Sequence, residues 1–300
     1  MGYLDTIAER ADQVSPGISA CQGCGAELIL RRVLQIAGEN TVVCIPPGCL
    51  AGSGVVGWNF QNGMKLPVHI TLLDNTAAFL TGLSVTYQRN GREDVNIIAL
   101  AGDGATADCG FQSLSGAAER GEKILYICYD NEGYMNTGFQ RSSTTSKGSR
   151  TSTTPVGKVL PGKQQGAKNL PFIMAMHNVE YVATISPSHM KDFVEKVEKG
   201  IAASKRGFAY LHAFSFCPTG WLHPSDAGIE IARTAVKSNF FPLFESEKGK
   251  WRQTVENKKP VPVADYLKML KKFKHLTPQD IAEFQKVIDW RIEVFEKMLS

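Results

Sequence analysis

Asp103, set between Gly102 and Gly104, and Asn131, followed two residues later by Gly133, are the residues best placed to do chemistry in this sequence. Each stands just past an apolar run, residues 95–101 before the first and 123–129 before the second, with a helix-like segment at Phe111–Glu119 between them. Strand, acidic turn, helix, strand and polar turn make one βαβ unit. In a parallel sheet both turns fall at the carboxyl edge, where ligands bind. Asp103 offers a hard carboxylate oxygen, Asn131 an amide oxygen, and the turn at Gly133 a backbone carbonyl. Mg²⁺ takes few such ligands from protein and completes its shell with phosphate and water. Gly102 and Gly104 let the backbone approach phosphate oxygens. The chemistry suggested is a metal-bridged diphosphate. The plainer alternative is a βα turn with Asp103 capping a helix; an Asp-Asn pair one βαβ unit after the Gly-Asp-Gly favours the ligand site.

The cysteines suggest a second centre. Cys21 and Cys24 form a C-x-x-C with Gly23 and Gly25, a metal-binding or redox turn. Cys49 follows Pro46-Pro47-Gly48 after a short strand, and Cys217 opens Cys217-Pro218-Thr219-Gly220-Trp221 after another. All four fall in turns, whereas Cys44, Cys109 and Cys128 lie in or beside apolar elements and read as core. Four loop cysteines suit a [4Fe–4S] cluster or a tetrahedral zinc, or stay free thiols. One local pair joined by two distant cysteines suits a cluster on a preformed fold better than structural zinc, which usually takes two local pairs.

The elements that must position these residues alternate. Helices are expected at 26–37, 74–88, 170–177, 188–203 and 227–238, and strands at 41–45, 69–73, 181–185 and 210–214. Asp74 is the expected N-cap of the helix it opens. His69, alone at a strand start, reads as structural rather than catalytic. Residues 52–67 are glycine-rich and read as loop. Residues 141–154 (RSSTTSKGSRTSTT) read by composition as a flexible linker, continued with Gly and Lys to 168. Residues 239–262 are expected to run extended over the surface, with Phe240, Phe241, Leu243 and Phe244 packed inward, before helices at 263–272 and 278–299. The expected fold is α/β: a mostly parallel sheet with helices on both faces over residues 1–225, then a C-terminal helical extension over 226–300. Lys268, Lys271, Lys272 and Lys274 read as a solvated basic face, or a docking surface for an acidic partner.

The Gly-Asp-Gly…Asn pattern resembles the thiamine diphosphate (TPP) motif of TPP-dependent enzymes. Tyr129-Asp130-Asn131-Glu132-Gly133-Tyr134-Met135-Asn136-Thr137-Gly138 is similar to one branch, the 2-oxoacid:ferredoxin oxidoreductases, and most closely to pyruvate synthase β subunits. The resemblance implies a TPP-binding fold in which Asp103, Asn131 and the Gly133 carbonyl hold Mg²⁺. It implies that Asn136 sits at the reacting centre and that Gly48, Cys49, Asn75, Gly102, Gly104 and Thr137 contact the cofactor. It also implies a [4Fe–4S] cluster on Cys21, Cys24, Cys49 and Cys217. The reaction it implies is oxidative decarboxylation of a 2-oxoacid, with electrons leaving through the cluster to ferredoxin and coenzyme A taking the acyl group. RSSTT and TPVGKVLPGKQQ match the family's own loop, expected to cover the cofactor and meet the α subunit. That subunit would supply the glutamate that activates the cofactor, since no second TPP-type half is visible in the sequence. No dense C-x-x-C-x-x-C run is present either, so γ and ferredoxin-like δ subunits or domains are expected partners. Asn75 matches the family, but Asp74 stands where glutamate is usual, which opens the choice of 2-oxoacid: pyruvate first, with oxalate, an aryl glyoxylate or a branched-chain acid as alternatives. The rivals are a non-redox TPP decarboxylase or synthase subunit with structural zinc, and a metal-binding scaffold without a cofactor of its own.

Composition agrees with an enzyme subunit. Three hundred residues at 43% hydrophobic can bury a substantial core, and a net charge of +4 gives no argument for nucleic acid. No apolar run is long enough for a membrane span. The polar start lacks the apolar core of a signal peptide, so a cytoplasmic protein with reduced cysteines is expected.

Overall fold

The computed structural model describes residues 7–55 and 63–299. The expected N-terminal arm and glycine-rich loop therefore lie partly outside the described residues. Strands β1 (Thr41–Ile45), β2 (Val68–Ile70), β3 (Asn96–Gly102), β4 (Leu125–Asp130), β5 (Tyr181–Ile185) and β6 (Ala209–Phe214) form a parallel sheet in the order β2-β1-β3-β4-β6-β5. Their sequences are near-continuous apolar runs because both faces are covered. Alternation divides them: Val43, Ile45, Ile98 and Leu100 point to one face, and Val42, Cys44, Ala99 and Ala101 to the other. Helices α1 (Gly25–Ala37) and α6 (Met190–Ser204) cover the first face through Ile29, Leu30, Val33, Phe193 and Val197. Helices α3 (Thr76–Arg89), α4 (Phe111–Glu119) and α5 (Leu170–Ala175) cover the second through Leu80, Leu114, Leu170 and Met174.

After β1 the chain moves outward to β2, then returns across β1 to β3. The carboxyl ends of β1 and β3 therefore flank a topological switch point, the crevice where open α/β sheets bind ligands. Cys49 and Asp103 follow those two ends.

Several expectations are corrected. Cys49, expected in a turn, and the first residues of the expected 52–67 loop form helix α2 (Cys49–Val55). Asn75, not Asp74, takes the N-cap position of α3, without a side-chain cap; its Oδ1 instead accepts the Leu72 N–H of the preceding turn at 2.9 Å. Cys44 and Cys128 are core residues, but Cys109 is exposed, because it ends the turn after Asp103 and faces outward near the Tyr134 hydroxyl at 3.4 Å. The segment 239–262 does not simply run over the surface. Residues Phe244–Glu247 (β7) and Lys250–Gln253 (β8) form a hairpin that adds antiparallel to β5. Its two-residue turn, Lys248-Gly249, has positive φ at both positions (49° and 79°), the geometry that matches strand twist.

Residues 141–168 are not a free linker. Ser142, Thr144, Thr145, Ser146, Ser149, Thr151 and Lys163 are buried; the Ser142 and Thr144 hydroxyls donate to Asp103 and the Thr145 hydroxyl to the Glu132 carbonyl. After helices α7 (Pro218–Trp221) and α8 (Gly228–Lys237), the extension continues through the hairpin to α9 (Val263–Leu267), a 3₁₀ turn at Lys271–Phe273 and α10 (Pro278–Leu299). A third apolar cluster (Phe214, Trp221, Ile231, Tyr266, Phe273 and Ile288 among others) joins the extension to the end of β6.

Candidate active site

Asp103 follows β3 without a linker and is fully buried. The next residues, Ala105–Cys109, wind as a π-turn, closed by the Gly110 N–H on the Ala105 carbonyl at 2.8 Å. Such turns cluster at functional sites. One carboxylate oxygen of Asp103 accepts Ser142 Oγ at 2.5 Å and Thr144 Oγ1 at 2.9 Å; the other accepts the Asn131 N–H at 3.3 Å. Burial, and then the nearby charge of Asp130, push the Asp103 carboxyl well above the usual range. A divalent cation would reverse that preference.

The Asn131 amide lies against this carboxylate. With its nitrogen inward it donates to Asp103 Oδ1 at 3.0 Å and to the Gly133 carbonyl at 2.9 Å. With its oxygen inward, three oxygens converge, from Asp103, Asn131 and Gly133. That is a hard-cation donor set, and the residues therefore fit Mg²⁺. Glu132 between them has φ 62°, uncommon for a residue with a side chain. Both ends of Glu132 are held: its N–H donates to Asp130 Oδ1 at 2.8 Å, and its carboxylate accepts the Ser146 N–H at 3.2 Å and Lys272 Nζ at 2.8 Å.

Asp130 is mostly covered, its side chain 12% exposed. Burial opposes its charge, but hydrogen bonds from His212 (3.0 Å), the Glu132 N–H and Thr144 (2.9 Å) hold its carboxyl below the usual range. The Tyr210 hydroxyl and His212 Nδ1 lie 2.8 Å apart, so a polar chain runs from Tyr210 through His212, Asp130 and Thr144 to Asp103.

The glycines make room for side chains. A Cβ at Gly104 would lie 2.5 Å from the Tyr134 ring, and one at Gly102 or Gly48 would lie 3.2 Å from the Tyr129 hydroxyl.

The four loop cysteines meet. Cys21, Cys24, Cys49 and Cys217 line one cavity of about 720 Å³, which Asn131 and Asn136 also line. Gly23 adopts φ 73° and passes so close to Ser225 that a Cβ would lie 2.2 Å from its carbonyl oxygen, so only glycine serves there. The Gly25 N–H then donates to the Phe216 carbonyl at 3.1 Å, which brings the C-x-x-C turn to Cys217. Cys217 caps the short helix α7, its sulfur accepting the Gly220 N–H at 3.3 Å. Burial, then nearby charges that include other cysteines, push Cys24 up to about 11 and Cys49 up to about 12, and burial raises Cys217 as well. Such a wall of thiols gives up its protons when a positively charged metal centre provides compensation. Among the described residues no three His, Cys, Asp or Glu side chains close to single-ion distance. Thiols spread around a larger void fit a polynuclear iron–sulfur core better than one tetrahedral ion.

Of the other residues expected here, Thr137 bonds within its own turn to Gln140, and Asn75 stays at the start of α3; neither lines this cavity. The sequence reading passed over Ser142, Thr144, His212, Trp221 and Lys272. Trp221 Nε1 donates to the Asn131 carbonyl at 2.8 Å. Lys272, read as part of a solvated basic patch, is only 1% exposed, because its ammonium pairs with buried Glu132. Serine and threonine rich in a row suggest solvent, and only the buried acids they answer reveal their role.

The protein family described as thiamine pyrophosphate enzyme, C-terminal TPP binding domain, matches residues 57–213. The β subunit of NADH-dependent phenylglyoxylate dehydrogenase from Aromatoleum evansii is 50% identical over 97% of this chain, which spans 66% of that relative's length. Pyruvate synthase subunit PorB from Methanocaldococcus jannaschii is 42% identical over 93% of this chain and 95% of its own. In fold, the chain is similar to a 2-oxoglutarate:ferredoxin oxidoreductase from Magnetococcus marinus, with a TM-score of 0.57, 23% identity, and 78% and 80% of the two chains covered. Among the described residues no helix is long and apolar enough to cross a membrane. With its carboxyl-edge site and these likenesses along nearly its whole length, the chain belongs to the thiamine pyrophosphate enzyme family, among the β subunits of the 2-oxoacid oxidoreductases.

Proposed function

We propose that this chain is the TPP-binding catalytic subunit of a cytoplasmic 2-oxoacid:ferredoxin oxidoreductase. It would oxidatively decarboxylate pyruvate, with coenzyme A, to acetyl-CoA and CO₂, and pass electrons through a [4Fe–4S] cluster to ferredoxin. The observation that carries this reading is the meeting of two donor sets at one sheet edge. Asn131 belongs to both, with its amide against Asp103 and Gly133 and a place in the wall of the four-cysteine cavity.

Asp103, Asn131 and the Gly133 carbonyl hold Mg²⁺, and with it the diphosphate. Ser142 and Thr144 fix the Asp103 carboxylate, as second-layer hydrogen bonds orient metal ligands. TPP, when bound, supplies the nucleophilic carbon and the electron sink for decarboxylation. Asn136, exposed on the cavity wall, orients the substrate by hydrogen bonding, an effect of position and electrostatics. Cys21, Cys24, Cys49 and Cys217 would hold the cluster, which would take the electrons, and they line the same cavity as Asn136. An α subunit supplies the carboxylate that activates the cofactor, and γ and ferredoxin-like δ subunits or domains carry electrons onward.

A second substrate is favoured by one specific observation: the relative that is 50% identical is named for phenylglyoxylate, which makes an aryl glyoxylate the alternative to pyruvate. The deciding experiment is iron, acid-labile sulfide and TPP content of the anaerobically purified complex, with EPR after dithionite reduction, then reductase assays with pyruvate, phenylglyoxylate and a branched-chain 2-oxoacid. Near-equal iron and sulfide with a reduced-cluster signal is expected. Zinc without sulfide would sink the ferredoxin-linked reading and promote a non-redox TPP subunit.

A further inference from the structure

We propose that Lys272 is the fixed counter-charge that sets the reduction potential of the iron–sulfur centre held by the four cysteines. This rests on the cluster reading above and adds a residue that no cysteine motif would reveal. Lys272 lies in the 3₁₀ turn Lys271–Phe273, more than fifty residues beyond Cys217, yet it lines the same 720 Å³ cavity as the four thiols. Its ammonium stands 4.1 Å over the ring of Trp221, the residue that ends the helix capped by Cys217. On its other side it donates to Glu132 Oε2 at 2.8 Å.

The pair is polar along one direction. Lys272 faces the thiol cavity, whereas Glu132 lines a smaller cavity beside Asp130 and His212. The positive end of a buried dipole therefore points at the cysteines. A cluster that accepts one electron gains one negative charge, and a fixed cation at the wall of a poorly screened site favours that reduced form. A buried ion pair is weak evidence of stabilisation by itself, since desolvation offsets most of the attraction. Stability alone therefore gives no reason for the ammonium to face the thiols.

The test is the midpoint potential of the cluster, read by EPR-monitored redox titration of the natively assembled protein purified anaerobically. The signal that disappears in Cys217→Ser identifies the centre. Lys272→Met is expected to lower its potential, shifting the reduced-to-oxidised ratio at a fixed potential about tenfold, about 59 mV for a one-electron couple. Lys272→Arg keeps the charge and should stay near wild type. Because Lys272→Met leaves Glu132 buried without its partner, a change that destabilises the fold, Glu132→Gln provides the second arm. It leaves the lysine unopposed and should raise the potential. Shifts of opposite sign cannot come from loosened packing. A wild-type protein without iron and sulfide would overturn the cluster reading and this inference together. A normal cluster whose potential is unmoved in both variants, or moves the same way in both, would overturn this inference alone.

Discussion

Asp103 receives its hydrogen bonds from Ser142, Thr144 and Asn131 before any metal is considered, so its direction is set by the protein. Asp103→Asn should lower Mg²⁺ affinity at least about 100-fold, the upper range for perturbing even a supporting residue. TPP retention after gel filtration would measure it. The metal-free protein should melt no earlier than wild type in calorimetry with EDTA, because the substitution removes a buried carboxyl that burial and Asp130 oppose. Ser142→Ala with Thr144→Ala should weaken Mg²⁺ binding about 10- to 100-fold while leaving its ligands in place. Unchanged affinity would mean that the loop hydroxyls serve packing alone. The Gly-Asp-Gly and Asp-Asn turns were legible in the sequence because glycine and acid types after apolar runs report their own geometry. Lys272 was not legible: a lysine among lysines reads as solvated, and only its burial against Glu132, 140 positions away, says otherwise.

At the scale of elements, the turns do the positioning. The C-x-x-C turn reaches Cys217 because Gly23 takes a left-handed φ against Ser225. Gly23→Ala should displace Cys21 and Cys24 and cost about 1–2 kcal/mol from backbone strain alone. Iron content should fall with it, and full iron occupancy would refute the role given to this turn. The hairpin β7–β8 is tied to β5 by Glu245, which accepts Tyr181 at 2.6 Å, Lys199 at 2.8 Å and Arg252. Burial alone would raise its carboxyl; the bonds from Lys199, Tyr181 and Arg252 instead hold it at about 2, against 4.5 without them. Its stabilisation is therefore complete above about pH 4.5 and drains away as pH falls toward 2. Glu245→Gln should flatten that acid limb in chemical denaturation series, and an unaltered limb would assign acid sensitivity elsewhere. The parallel strands announced themselves as apolar runs. This hairpin did not, because its strands are short and half-polar and its turn, Lys248-Gly249, carries one glycine in place of the commoner Asn-Gly.

Across the whole molecule, the C-terminal extension closes the site from behind. Phe214, Trp221 and Tyr266 share one apolar cluster, and Lys272 completes the charge of Glu132. Removing residues 263–299 would expose that cluster and leave a buried carboxylate unpaired, which typically costs about 3–5 kcal/mol. Such a truncation should bind a hydrophobic dye and lose cooperative unfolding. A sharp thermal transition in the truncated chain would show that residues 7–262 fold without it.

The four thiols also impose an order in time. Cys21, Cys24 and Cys49 leave the ribosome before Cys217, which follows Cys49 by about eight to thirty-five seconds at ordinary synthesis rates of about 5–20 residues per second. During that interval, in which β2 to β6 are made, three cysteines wait without their fourth partner. If the four cysteines hold a metal centre as proposed, its insertion is a step of maturation that follows synthesis of the six parallel strands, and a cell making this protein would have to keep the nascent chain reduced, and away from stray metal, until then.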